Sequence, residues 1–408
     1  MLVEFKVGNY LSFDEPVKLS MVASRIQEHR ETHVLRGSQD MPLLATMALY
    51  GANASGKTNL FRAMRFMSDL VKNSSKDSQA DEEIGVQGFR LREDAETLPS
   101  LFEVSFICDA VLYRYGFEVD RHRVHKEWLF YRPKRTEILL FKRDQQSINV
   151  GSGFAEARGL ESKTRENALF LSVVAQFNGD ISRKILKWFS QFVVISAAYN
   201  RSLIPTVRAL TDDSNRVLEV LKAADIGIEG IGVDVDDPLA STSNGPRQRE
   251  RVYTEHKIFD RDQHVSGVAK FDLMSEESEG TQKLFSLIAP ILRSLEGGWI
   301  LAIDEVDARL HPLITEFLIQ FFHSPDSNRN GAQLLLTTHD TNLLTRRIFR
   351  RDQIWFVEKN RYGASDLYSL ADYHIRNDAT YQKDYLLGKY GGIPYMGPLE
   401  WADESTRE

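Results

Sequence analysis

Eight consecutive residues constrain this chain more than any other stretch: Gly51-Ala52-Asn53-Ala54-Ser55-Gly56-Lys57-Thr58. They match the phosphate-loop pattern GxxxxGK[ST] at every fixed position. Leu44 to Tyr50, just before them, is apolar enough for a buried strand. Just after them, Leu60, Phe61, Met64, Met67 and Leu70 fall at helical spacing. A strand, a glycine loop and a helix turn backbone N–H groups inward around phosphates and add the positive end of a helix dipole. The loop residues Gly51, Asn53, Ser55 and Gly56 are therefore candidates for cradling a nucleotide. Lys57 supplies a point charge to the β/γ-phosphates, and the Thr58 hydroxyl is a ligand for Mg²⁺.

A second segment answers the first. Trp299 to Ile303 is an apolar run ending in Asp304-Glu305, the Walker B pattern. Strands buried on both faces read as continuous apolar runs. Carboxylates at the C-terminal end of such a strand stand where open α/β sheets bind ligands. Asp304 is expected to hold Mg²⁺ through water, and Glu305 to act as the general base toward the attacking water.

The remaining chain gives a frame. Its 408 residues allow two lobes, and 42% hydrophobic with 27% charged residues is ordinary for a soluble globular protein. A net charge of −7 does not favour a nucleic-acid coat, although a local basic channel stays open. No apolar run approaches the roughly 20 residues of a membrane span. The N-terminus lacks a signal-peptide profile, and the single Cys108 has no internal partner. The expectation is a cytoplasmic protein with no membrane partner. Residues 1–20 alternate as a hairpin interrupted at Gly8-Asn9, and 84–145 read as an antiparallel meander. The region 163–225 reads as helical, 72–83 as a polar loop and 234–250 as a surface excursion. After residue 275 come a long helix, the Walker B strand, a helix over 313–322, a strand over 333–337, a helix over 341–348 and a strand over 353–358. This alternation predicts a parallel sheet with crossover helices.

Two further segments hold candidate chemistry. Glu277-Ser278-Glu279-Gly280-Thr281-Gln282 opens the long helix. Ser278, Gly280 and Thr281 there form either an anion site or a plain helix cap. His339 ends an apolar strand downstream of Walker B, where an imidazole can reach a γ-phosphate and its attacking water.

In this order the motifs resemble the ATP-binding-cassette ATPases. Ser278 to Thr281 resembles their signature segment, with Glu279 in place of the usual first glycine. His339 resembles the switch histidine, and Leu310-His311-Pro312 the D-loop. Gln176, ending Asn167 to Gln176, resembles the Q-loop glutamine and would be a further metal contact. Phe5 to Phe13, and Asn59 directly after Thr58, resemble the RecF/SMC/OLD branch. The combination with Arg351 to Glu358 and Tyr385 to Pro394 is similar to the RloA-like and AbiL-like ATPases of anti-phage, abortive-infection operons.

The resemblance implies an α/β, ABC-type P-loop NTPase with a mixed core sheet, an antiparallel meander lobe and a helical insertion. The expected divisions are 1–175, 176–250 and 251–408. It further implies ATP and Mg²⁺ as cofactors and a homodimer or higher homo-oligomer with ATP sandwiched between subunits. The partners it implies are an effector from the same operon, a TOPRIM-type nuclease, and a phage-encoded trigger. DNA clamping in repair is the alternative, with Arg121, Arg123, His125, Lys126 and Arg346, Arg347, Arg350, Arg351 as candidate contacts.

Overall fold

The computed structural model describes residues 1–76, 79, 82–196, 204–224, 227–235, 250–375 and 380–394. A six-stranded core sheet runs in the order Phe192–Ser196, Ile300–Asp304, Gln333–Thr337, Thr46–Tyr50, Ile354–Lys359, Ser365–Ser369. The first five strands are parallel and the sixth is antiparallel. Every residue of the three strands from Ile300, Gln333 and Thr46 is buried, which is why these segments read as unbroken apolar runs. Side chains alternate between two cores. Met47, Leu49, Ile300, Ala302 and Leu335 face one. Ala48, Tyr50, Leu301, Ile303, Leu334 and Leu336 face the other.

The first core is closed by the helix Lys57–Asn73 and by a seven-stranded antiparallel sheet. That sheet is the expected meander, Ser100–Cys108 through Ser147–Val150, joined by the N-terminal hairpin Leu2–Gly8 and Val17–Ser20. The Glu127 carboxylate pins it to the next element. It accepts from Tyr115 Oη and from the backbone N–H groups of Phe170 and Leu171, and it faces the fully buried Arg143. Those N–H groups open the helix Phe170–Gln176, so a buried carboxylate caps a helix N-terminus. The second core is closed by Glu279–Gly297 and Pro312–His323.

Three expectations change. Phe192–Ser196 is a strand, not the tail of a helix, and lies beside Walker B in parallel register. Residues assigned to an insertion thus complete the core sheet. Within that same region the expected helical insertion is packed onto the core at Ile204–Ala223. Its Val207, Leu210, Val217, Val220 and Leu221 are buried against Glu279–Gly297, with a break in helical geometry at Asp213. After His339 only a short 3₁₀ turn, Thr341–Leu343, forms in place of a helix over 341–348. The Asp340 carboxylate accepts from the Asn342 backbone and side chain, a local bond that competes with helix propagation. Most of the expected excursion, 236–249, and part of the polar loop lie outside the described residues.

Candidate nucleotide-binding and catalytic site

Strand register brings the motifs together. Thr337 pairs with Leu49, Ile303 with Leu336, and Asp304 with Ser196. The strands from Thr46, Ile300 and Gln333 therefore end on one edge, and each hands its loop to the same space. The loop after Tyr50 needs its glycines. Gly51 and Gly56 lie at φ +158° and +117°. A Cβ on Gly51 would meet the Val357 carbonyl at 2.3 Å, and one on Gly56 would meet Ser365 Oγ at 2.3 Å and Ser12 Oγ at 2.7 Å. Ser365 Oγ donates to the Ser55 carbonyl (2.6 Å), and Asn59 Nδ2 donates to Ser12 Oγ (2.9 Å). The loop is thus clamped from outside by the N-terminal hairpin and the last strand of the sheet.

Lys57 is buried, and its Nζ donates to the carbonyls of Gly51 (2.8 Å) and Ala52 (3.1 Å). Burial lowers its pKa to about 8, opposed by the negative charges of Asp304, Glu305 and Asp307. Ser55 Oγ is buried and has no hydrogen-bond partner. A parked lysine and an orphaned hydroxyl facing a glycine-lined loop fit an anionic ligand.

Asp304 is buried, and its Oδ1 accepts from Thr337 Oγ1 at 2.7 Å. The same Thr337 oxygen accepts from the Glu305 N–H at 2.7 Å. One hydroxyl on the neighbouring strand therefore holds the Asp304 carboxylate and the Glu305 backbone. Glu305 sits at φ +55°, a left-handed conformation uncommon for glutamate. It turns the chain sharply at the strand end. Asp307 accepts from the His339 N–H at 3.3 Å, and its other oxygen is buried without a partner. The His339 pKa is held below its ordinary value by partial burial and by Lys57, against the pull of Asp307, Glu305 and Asp304. The imidazole is then neutral at pH 7. Lys57, Asp304, Glu305, Asp307 and His339 form one electrostatic group. Thr58 and Asp304 fit Mg²⁺ chemically, as hard oxygen donors beside an orphaned carboxylate oxygen on Asp307.

Ser278 caps Glu279–Gly297, accepting from the Thr281 N–H at 3.1 Å, and its hydroxyl bonds that of Thr281 at 2.9 Å. The cap is real, yet the segment is also held toward the Walker B loop. A Cβ on Gly280 would lie 3.1 Å from the Arg309 carbonyl, and Glu279 pairs with Arg309 at 3.0 Å. Among the described residues no hydrogen bond or ion pair links Ser278, Gly280 or Thr281 to the loop 51–58 of the same chain. His311 has a structural duty: its Nδ1 accepts from the Leu313 N–H and caps Pro312–His323.

Gln176 stands apart. Its helix is fastened at Ser172 and Leu169 to Ser75 and Ser74, beyond the far end of the helix that Lys57 begins. The helix Lys57–Asn73 is 17 residues long, about 25 Å at 1.5 Å each, and Ser74 and Ser75 follow it. The structure does not bring Gln176 to the other metal candidates. Reading the sequence missed Thr337, Asp307, Ser12 and Ser365. A hydroxyl in the run Thr337-Thr338-His339 and the Asp304-Glu-Val-Asp307 spacing were the available signals.

A family model described as "AAA domain, putative AbiEii toxin, Type IV TA system" matches residues 47–345. The chain belongs to this AAA family. No curated protein matches it. Among solved structures, the SMC head domain from Thermotoga maritima aligns at 12% identity, covering 90% of this chain and 98% of that one, with a TM-score of 0.39. The Smc head domain with a coiled coil and joint derived from Pyrococcus yayanosii aligns at 10% identity over 90% and 96%, again with a TM-score of 0.39. No described helix is long and apolar enough to cross a membrane.

Proposed function

We propose that this AAA-family chain binds and hydrolyses ATP as a head-to-tail homodimer and that the cycle controls a partner effector in bacterial anti-phage defence. The observation that carries the reading is the gathering of Lys57, Asp304, Glu305, Asp307 and His339 at one sheet edge, with Ser278 to Thr281 held against the 305–310 loop through Glu279 and Arg309. A serine and free helix N–H groups there suit a γ-phosphate presented by a second copy.

In the proposed cycle the loop N–H groups and Lys57 grip the phosphates, and Lys57 exchanges the Gly51 and Ala52 carbonyls for phosphate oxygens. Thr58 and Asp304 would hold Mg²⁺, which would neutralise charge on the β- and γ-phosphates. Glu305 takes a proton from water as its oxygen attacks the γ-phosphorus. The bond to the β–γ bridging oxygen breaks, and ADP and phosphate leave. Neutral His339 hydrogen-bonds the γ-phosphate and the water. The γ-phosphate stabilises the closed dimer only while it is attached, so hydrolysis shifts the population back to open chains.

The defence role rests on the resemblance to RloA-like and AbiL-like ATPases and on a family description that names a toxin of a toxin–antitoxin system. A TOPRIM-type nuclease from the same operon is the proposed effector, released by a phage-encoded trigger in the cytoplasm. The DNA-clamping alternative loses most of its candidate contacts to internal pairing. Arg350 is fully buried on Asp352, Arg347 pairs with Glu316, Arg346 with Glu28, Lys126 with Glu118 and His125 with Asp120. The test is purification of tagged Glu305→Gln protein with MgATP from its host, followed by native mass measurement. A dimer or larger assembly carrying a stoichiometric neighbouring protein supports the reading. A bare dimer carrying nuclease-sensitive DNA moves it to clamping.

A further inference from the structure

At the other end of the core sheet lies an open cavity of about 610 Å³ lined by Ser24, Arg25, Ile26, Arg351, Tyr373, His374 and Ile375. Arg351 begins the turn Arg351–Gln353 that precedes the strand Ile354–Lys359. Val357 touches the phosphate loop at Gly51. The turn and then the extended residues Ile354 to Val357, roughly 10 Å of strand alone, separate Arg351 from that contact. The cavity is distinct from the nucleotide site.

Its walls are fixed from behind. The buried Arg350 guanidinium donates to the carbonyls of Ile26 (2.9 Å) and Glu28 (2.6 Å), and to both oxygens of Asp352. Asp352 also accepts from the Ser24 N–H (2.8 Å) and hydroxyl (2.7 Å). Tyr373 Oη donates to the Tyr390 carbonyl at 3.2 Å, which fixes its ring.

Among the described residues the charges around the cavity do not balance. The nearby described acids are engaged: Asp352 by Arg350 and Ser24, Asp372 by the Ser369 N–H, and Glu28 by Arg346. Arg25 and Arg351 have no ion-pair partner among the described residues. Two guanidiniums and the His374 imidazole thus line an open cavity together with Tyr373, Ile26 and Ile375. Guanidinium forks match phosphate oxygens bidentately, and a ring beside them offers a stacking face to a base.

We infer that this cavity is a second anion site that takes the phosphate of a nucleotide, either a free mononucleotide or the terminal phosphate of a nucleic acid strand. Arg25 and Arg351 grip the phosphate, and Tyr373, Ile26 and Ile375 receive the base. Of the four arginines at 346–351, only Arg351 serves this purpose.

The test uses the full chain with its phosphate loop saturated by MgADP. The probes are a labelled 5′-phosphorylated single-stranded 12-mer, the same strand without the phosphate, and AMP as competitor. The proteins are wild type and the Arg25→Glu/Arg351→Glu double variant. ATP turnover without probe is expected to be equal in both, which reports folding. Removing two phosphate contacts is expected to weaken binding of the phosphorylated probe at least ten-fold and to flatten its salt dependence. Tighter binding of the phosphorylated strand than of AMP assigns the site to strand ends. Tighter binding of AMP assigns it to free nucleotides. Equal affinity of both proteins for every probe, or no binding by wild type, overturns the inference. Should the double variant misfold, Arg25→Ala and Arg351→Ala singly are expected each to weaken binding, and unchanged affinity in both overturns it equally.

Discussion

The two ends of the core sheet handle buried polarity in opposite ways. Where the strands begin, the polar side chains on and beside the central strands are spent on one another. Gln353 donates to the Thr46 carbonyl and hydroxyl and accepts from the Arg350 N–H and His33 Nδ1. Gln333 exchanges hydrogen bonds with Leu2 in both directions and donates to Leu44. His33 stacks between His29 and His323, and His323 bonds Thr46. Where the strands end, Ser55 Oγ and Asp307 Oδ1 are buried without partners, Lys57 rests on carbonyls, and Glu305 occupies a left-handed conformation. Satisfied polarity stabilises a fold, while unsatisfied polarity at a strained turn marks where a ligand belongs. Substitutions at one end should therefore cost activity and at the other stability.

The largest separation is expected from Glu305→Gln. Turnover should fall by about 10²- to 10⁴-fold, the range for loss of a general base, with the thermal midpoint unchanged in calorimetry. Wild-type turnover in this variant contradicts the base assignment. At the opposite end, Arg350→Ala leaves the Asp352 carboxylate buried without its counter-ion. A loss of about 3–5 kcal/mol is expected in urea denaturation, with turnover per folded molecule retained. Stability unchanged within error would break the comparison at its stronger side.

The histidine stack adds a pH signature. Burial lowers His33 to about 4 and holds His323 well below its ordinary value. Between those values and about 6.5 the unfolded chain binds the proton more readily. The stabilisation is thus complete above about pH 6.5 and is lost as pH falls toward 4, at most about 3 kcal/mol from His33. Urea midpoints measured across that window should fall with pH, and less steeply in His33→Phe. A flat profile in the native chain would show the stack to be already charged.

Thr337→Val sharpens the comparison where the two ends meet, since Thr337 is a buried polar residue that serves the catalytic acids. Loss of such an orienting contact commonly costs 10- to 100-fold in activity. The expected drop lies in that range, in kcat more than in KM, and unchanged kcat would remove Thr337 from the machinery. The smallest effect is expected at Gln176→Ala: less than two-fold in turnover, given its distance from Thr58. A larger loss would mean that this helix reaches the site in the working assembly.

What the sequence disclosed follows from how local each signal is. The phosphate loop and Walker B strand are contiguous, and their apolar runs are dictated by burial on both sheet faces, so residues 44–73 and 299–305 could be placed from the residues alone. Thr337 and Asp307 act across strands, and register is not written in either strand singly. Phe192–Ser196 follows the helix Asp180–Ser190 with one residue between, so no turn signal separates a helical stripe from a strand. Gln176 rests on a single side chain, without a pattern to fix its direction. His311 shows the converse case: a residue in a motif position whose ring is spent on a helix cap.

The composite site is tested most directly by mixing two defective chains. Lys57→Ala lacks the phosphate grip, and Ser278→Arg blocks the surface offered to the second copy. Each alone is expected to hydrolyse ATP at less than a hundredth of the wild-type rate. In an equimolar mixture half of the dimers pair one of each, and each such dimer holds one intact site of two, so about a quarter of wild-type turnover should return. A mixture as inactive as its components, or a Ser278→Arg chain active by itself, would contradict a site shared between two copies.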